Sequence, residues 1–170
     1  GSDLRELLNF ADNGRTDDGI ARFFKTLATV EKPIIAAVDG LAMGLGATLL
    51  FHCDYVVASE WSAFEATSIE LGLVPDAAST LLAPRLMGHL RAFEFLVLGE
   101  RFDAQRAHEC GLINSIVAPE MVEATAMEIA TRLASRSTEA VGIARRLMRG
   151  DRREILSRID QEAEVGRAHV

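Results

Sequence analysis

Apolar and polar positions change period repeatedly along the first half of the chain, and each change marks an element boundary. Residues 13–18 are polar and contain glycine, so they read as a loop, and Asp17 or Asp18 can cap a following helix whose apolar stripe is Ile20, Phe23, Phe24 and Leu27. Lys32-Pro33 ends that helix, because a residue before proline is pushed out of the helical region. The unbroken apolar run 33–38 predicts a buried strand, since a strand covered on both faces does not alternate. Asp39-Gly40 turns the chain into a glycine-containing stretch, residues 42–46, followed by the apolar, helix-compatible residues 47–51.

Further along, residues 55–58 and 62–65 predict extended segments, while 77–86 and 90–98 predict helices separated by Gly88. Residues 103–110 fit a short helix with Asp103 at its N-cap and Gly111 at its end, and residues 112–117 are strand-like. From Pro119 onward the pattern is helical, with breaks expected at Gly142 and Gly150. A mixed strand–helix core followed by a helical tail predicts an α/β fold with a parallel sheet. Along the tail, Val122, Ala126, Ile129, Leu133, Ile143 and Leu147 suit either an intrachain core or a subunit interface.

Composition narrows the function. With 170 residues, 49% of them hydrophobic, the chain can pack one domain with a small helical appendage, and no apolar run approaches the ~18 residues of a membrane span. A net charge of −7 argues against a nucleic-acid partner, which needs a basic surface. An anionic ligand would need a local patch. Arg145, Arg146, Arg149, Arg152 and Arg153 supply one, although a solvated helical face is the ordinary reading of such a run. Cys53 and Cys110 read as reduced core residues with no metal-ligand spacing, His52 as a packing residue, and Trp61 as a loop or pocket-edge aromatic.

Strand, turn, glycine loop and helix follow one another between residues 33 and 51. Glycine lets a ligand approach the backbone, and the free N–H groups of a helix's first turn point at negative charge. Gly44-x-Gly46 alone is a weak signal, and without a third glycine it is no dinucleotide fingerprint. The longer pattern is specific. Lys32-Pro-Ile-Ile-Ala-Ala-Val-Asp-Gly40, Leu41-Ala-Met-Gly-Leu-Gly46 and His52-Cys-Asp-Tyr55 resemble the central signature of the crotonase (enoyl-CoA hydratase/isomerase) superfamily. The resemblance continues through Leu71-Gly-Leu-Val-Pro-Asp76, Pro84-Arg-Leu-Met-Gly88, Leu98-Gly-Glu-Arg-Phe102 and Gly111-Leu-Ile-Asn114.

That resemblance implies a spiral of strands and helices, a ββα superhelix, with a crotonase core over residues 1–117 and a helical region over 118–170 that serves oligomerisation. It further implies an acyl-CoA thioester as substrate, no cofactor beyond the coenzyme A that the substrate carries, a homotrimer or dimer of trimers, and a cytoplasmic protein without a membrane partner. The thioester oxygen would be held by two backbone N–H groups, one at Leu45, between Gly44 and Gly46. The other falls at Ser2 if Gly1-Ser2-Asp3-Leu4 is the end of the family's Ala-Gly-x-Asp-Leu motif, in which case the chain lacks its first strands. Alternatively, Gly1-Ser2 is a cloning scar.

The family's hydratases use two glutamates, and the matching positions here are Thr48 and Ser68, neither able to act as a base near neutral pH. They and Leu73 are expected to line the substrate site, with Glu65 and Glu70 displaced from the catalytic position. Asp76 matches the single catalytic acid of the Δ3,Δ2-enoyl-CoA isomerases, shortened by one methylene, and also the nucleophile of the 4-chlorobenzoyl-CoA dehalogenase branch. A plain N-cap role for the helix at 77–86 is the competing reading of Asp76. The expected activity is therefore double-bond isomerisation. Hydration, another crotonase-type reaction, or acyl-CoA binding without turnover are the alternatives.

Overall fold

The computed structural model of the protein describes residues 18–168. Two small sheets organise it. Strands β1 (Ile35–Val38), β3 (Tyr55–Ser59) and β6 (Ser115–Val117) form a parallel sheet in the order β1-β3-β6, with Ile35 opposite Tyr55 and Val57 opposite Ser115. Strands β2 (Leu41–Met43), β4 (Ala63–Glu65) and β5 (Phe102–Asp103) form the other, parallel between β2 and β4 and antiparallel between β4 and β5. The expected α/β architecture with parallel pairing is present.

Two local readings change. β1 is only partly covered, with Ala37 exposed, because among the described residues it lies at the edge of the sheet; the central β3 is the buried one. Residues 41–43 are strand rather than loop. Pairing continues one residue further, where the Gly44 N–H donates to the Glu65 carbonyl at 2.9 Å, so the irregular segment shrinks to Gly44 itself.

Helices supply the rest: α1 (Asp18–Thr29), α2 (Leu45–Thr48), α3 (Ser79–Met87), α4 (His89–Leu96), α5 (Ala104–Glu109), α6 (Val122–Ala134), α7 (Thr138–Arg149) and α8 (Arg152–Ala168). A 3-10 turn, Leu49–His52, continues α2. Along α1 the stripe is carried by buried Phe24 and Ala28, one turn apart, while Phe23 faces outward. Asp103 caps α5 as expected, its carboxylate accepting from the Arg106 N–H at 2.8 Å. Gly142 does not break the chain but lies within α7; the break falls at residues 135–137, where Ser137 caps α7. Packing overrides a glycine penalty of only about 1 kcal/mol. Gly150, at φ 73°, does separate α7 from α8.

The main core centres on Phe64, Phe95 and Phe102, with the last two rings 5.0 Å apart. A second cluster joins Phe24 and Ala28 of α1, Ile155 and Ile159 of α8, and Ala77 and Ala78. In a third, Val122 and Ala126 of α6 pack on Val57, whereas Ile143 and Leu147 of α7 are exposed. Two of the clustered arginines are internal ties rather than a solvated face. Arg145 meets Asp54 at 2.8 Å and the Val30 carbonyl at 2.6 Å, and Arg149 meets Asp54 at 3.3 Å. Both cysteines are free, partly buried and packed against the main core, while Trp61 is an exposed loop residue. Among the described residues no helix is long and apolar enough to cross a membrane.

Candidate active site

The segment after Pro75 departs from the sequence expectation. Helix α3 begins at Ser79, and Ala77 and Ala78 stand before it in the left-handed region at φ 63° and 56°. That conformation costs a residue with a Cβ about 1–2 kcal/mol, so the surroundings must enforce it. They do so from both sides. His52, buried on the 3-10 turn, donates from Nε2 to the Ala77 carbonyl at 2.7 Å. A carbonyl only accepts, so Nε2 carries the proton, and burial lowers the ring's pKa and keeps it neutral. From α8, Glu162 accepts from the Ala78 N–H at 2.6 Å, the Thr80 N–H at 3.1 Å and the Thr80 hydroxyl at 2.6 Å.

Glu162 therefore occupies the start of α3, and the N-cap reading of Asp76 is corrected: the N-cap residue is Ala78, with no side-chain cap from its own segment. Released from that role, the Asp76 carboxylate meets α2, where the Thr48 hydroxyl donates to it at 3.1 Å. Burial pushes Asp76 up to about 6, and the Thr48 hydrogen bond opposes the shift.

The other side of the site is the entry to α2. Gly44 takes φ 54° and ψ −121°, a conformation essentially reserved for glycine, and an added Cβ would meet Thr67 Oγ1 at 3.4 Å. Beside Gly46 the space is open. The Leu45 N–H finds no acceptor among the described residues, as is usual for a first helical residue. Thr48 lies three residues further, on the same helical face, and the Leu45 side chain packs against the cluster containing Ala77 and Ala78. The fold thus brings Leu45, Thr48 and Asp76 to one place.

Ser68 precedes a 3-10 turn, Ile69–Leu71, and its carbonyl accepts from the Leu73 N–H at 2.8 Å; among the described residues no hydrogen bond links Ser68 to Thr48 or Asp76. Ser68 and Leu73 are partly buried, as is Glu65, while Glu70 is exposed. Ser2 lies outside the described residues. Glu162 and Thr80 escaped the sequence reading. Glu162 sits three residues past Ile159 and seven past Ile155, so a carboxylate on an otherwise apolar stripe was the available signal.

Comparison with known proteins gives the family. The model of the enoyl-CoA hydratase/isomerase family matches residues 1–166. The chain is 38% identical over 128 residues to 1,2-epoxyphenylacetyl-CoA isomerase of Escherichia coli K12, covering 73% of this chain and 49% of that protein. It is 32% identical over 137 residues to mitochondrial enoyl-CoA hydratase of Pongo abelii, covering 81% and 47%. The solved structure of Pseudomonas aeruginosa OdaA superposes with a TM-score of 0.88 at 33% identity, over 95% of this chain and 67% of that one. The fold and site define a crotonase-type protein. The chain belongs to the enoyl-CoA hydratase/isomerase family, and it spans about half the length of the curated relatives it matches.

Proposed function

We propose that the complete protein is an acyl-CoA isomerase that converts a 3-enoyl-CoA to the conjugated 2-enoyl-CoA. The observation that carries this reading is the placement of Asp76. It is a partly buried carboxylate, free of any capping duty and oriented by Thr48, a residue that itself lies one helical turn after Leu45. The thioester oxygen would accept from Leu45 and, in the family's pattern, from Ser2. Asp76 takes the C2 proton, the electron pair moves into a dienolate whose oxygen those N–H groups stabilise, and the protonated Asp76 returns a proton to C4. Each such N–H donor typically lowers the barrier by roughly 3 kcal/mol.

One acid suffices because the substrate neither gains nor loses atoms, and no cofactor is needed beyond the coenzyme A of the thioester. A pKa near 6 suits both steps, since the group is ionised at neutral pH yet basic enough to hold a proton and give it back. Hydration would call for carboxylates at Thr48 and Ser68, and Glu65 and Glu70, the acids beside Ser68 in sequence, make no hydrogen bond with Thr48 or Asp76 among the described residues. The exposed apolar residues Ile143, Leu147 and Met148 of α7 fit a face covered in a homotrimer or a dimer of trimers. The deciding experiment offers the complete protein 3-enoyl-CoA and 2-enoyl-CoA separately and follows the conjugated thioester. Isomerisation faster than hydration is expected, and robust hydration without isomerisation overturns the proposal.

A further inference from the structure

Glu162 is 6% exposed, belongs to the last helix, and has no part in the chemistry just described. Its two oxygens accept three hydrogen bonds from the start of α3: from the N–H of Ala78, the N–H of Thr80 and the hydroxyl of Thr80. Arg158, one turn earlier on α8, donates to the same Thr80 hydroxyl oxygen at 3.0 Å. The donors are the second left-handed residue after Asp76 and its neighbour two places on. Two consecutive alanines with positive φ do not hold that shape unaided. The His52 ring fixes the first of them through its carbonyl, and Glu162 fixes the second through its N–H.

We propose that Glu162 is a positioning residue for Asp76: by clamping Ala78 and Thr80 it locks the left-handed turn that directs the Asp76 carboxylate to Thr48, and so makes the docking of α8 a condition of an assembled site. The inference rests on the reading of Asp76 as the base. A second consequence is electrostatic. Glu162 and Asp76 are close enough to repel, and the Asp76 charge contributes to an upward shift of the Glu162 carboxyl, behind the larger effect of burial. Donation from Thr80 and Ala78 opposes that shift. The charged and titratable groups around the pair are His52 on the 3-10 turn and Arg158 on α8. Further out, Arg85 of α3 pairs with Glu154, and Lys25 of α1 with Asp160. Removing Glu162 lets the turn relax toward water, which eases the burial that raises Asp76 and so lowers its proton affinity.

The test uses the full-length protein and two readouts: kcat and KM per folded molecule well below each variant's Tm, and the Asp76 titration midpoint by carboxyl carbon NMR. Asp76→Asn identifies the resonance. Glu162→Ala is expected to lower kcat by ~10-fold or more with KM within ~2-fold, and to move the midpoint down. Glu162→Gln keeps the volume and one acceptor oxygen but turns an NH2 toward donors, so a smaller fall of ~3-fold is expected. This variant decides the matter if the alanine protein does not fold. Glu154→Gln, which loosens only the exposed Arg85 contact between α3 and α8, should leave both readouts unchanged. A normal kcat and an unmoved midpoint in a folded Glu162 variant, whatever its Tm, overturn the proposal. Wild-type protein without isomerase activity but with an Asp76 midpoint that follows Glu162 refutes the isomerase reading and supports the clamp.

Discussion

Thr48 and Asp76, 28 positions apart in the chain, are joined by a 3.1 Å hydrogen bond in which the hydroxyl donates and the carboxylate accepts. The bond ties the helix that follows the glycine turn to the loop that precedes α3. It gives a partly buried carboxylate an oriented side-chain donor from a different element.

Asp76→Asn should separate function from stability. Turnover is expected to fall by ~10²-fold or more, with thioester binding little changed. The folded-state pKa of about 6 lies above the ordinary 3.8, so the native protein binds more protons than the unfolded chain between those values. Stability contributed by the protonated form is therefore lost as pH rises through that window, leaving the ionised group costly at neutral pH by roughly 3 kcal/mol. The Asn variant, which carries no charge to bury, should unfold at a higher denaturant concentration than wild type at pH 7.5, and the advantage should vanish below pH 4. Denaturant titrations at the two pH values check this.

Thr48→Val keeps the shape of a fully buried side chain and removes the donor. Thr48 opposes the rise in the Asp76 pKa, so its loss should push that pKa further up. The acid limb of kcat against pH, expected near 6 in the wild type, should move to higher pH, and kcat should fall several-fold at neutral pH. An unmoved acid limb would separate Thr48 from the titration of Asp76.

Gly44→Ala forces a Cβ into φ 54°, ψ −121° and against Thr67 Oγ1. The backbone cost alone is ~2 kcal/mol. Relief would come by rotating the peptide that presents the Leu45 N–H, so kcat should fall along with Tm. Gly46→Ala, at a position with ordinary φ and open space, should cost far less stability in the same melting experiment.

Asp54→Ala tests the arginine ties, one of which, Arg149, also donates to the His52 carbonyl. Asp54 accepts from Arg145 and Arg149 and from the Ile34 N–H at 2.8 Å. Its removal strands two partly buried guanidinium groups, and a loss of about 2–3 kcal/mol is expected. At temperatures where the variant remains folded, kcat should stay within about 2-fold of wild type. Equilibrium unfolding alongside an activity assay measures both.

Much of the architecture is legible in local pattern. The apolar run before Val38 marked β1, Asp103 announced the cap of α5, and Gly150 announced the end of α7, because each signal acts within a few residues of itself. The spacing from Lys32 to Asn114 carried the family, and Asp76 stood out as an acid where Thr48 and Ser68 had none. Tertiary contacts decided the rest. Ala77 and Ala78 read as helix because alanine favours it, yet His52 and Glu162, from elements far away in sequence, supply the hydrogen bonds that hold them left-handed. The competing cap reading of Asp76 rested on aspartate's preference for that position, yet Glu162 fills it and leaves Asp76 to Thr48. Local sequence determines what a residue prefers. Only packing decides which partner reaches it first, since a buried donor must be satisfied by whatever acceptor the fold delivers.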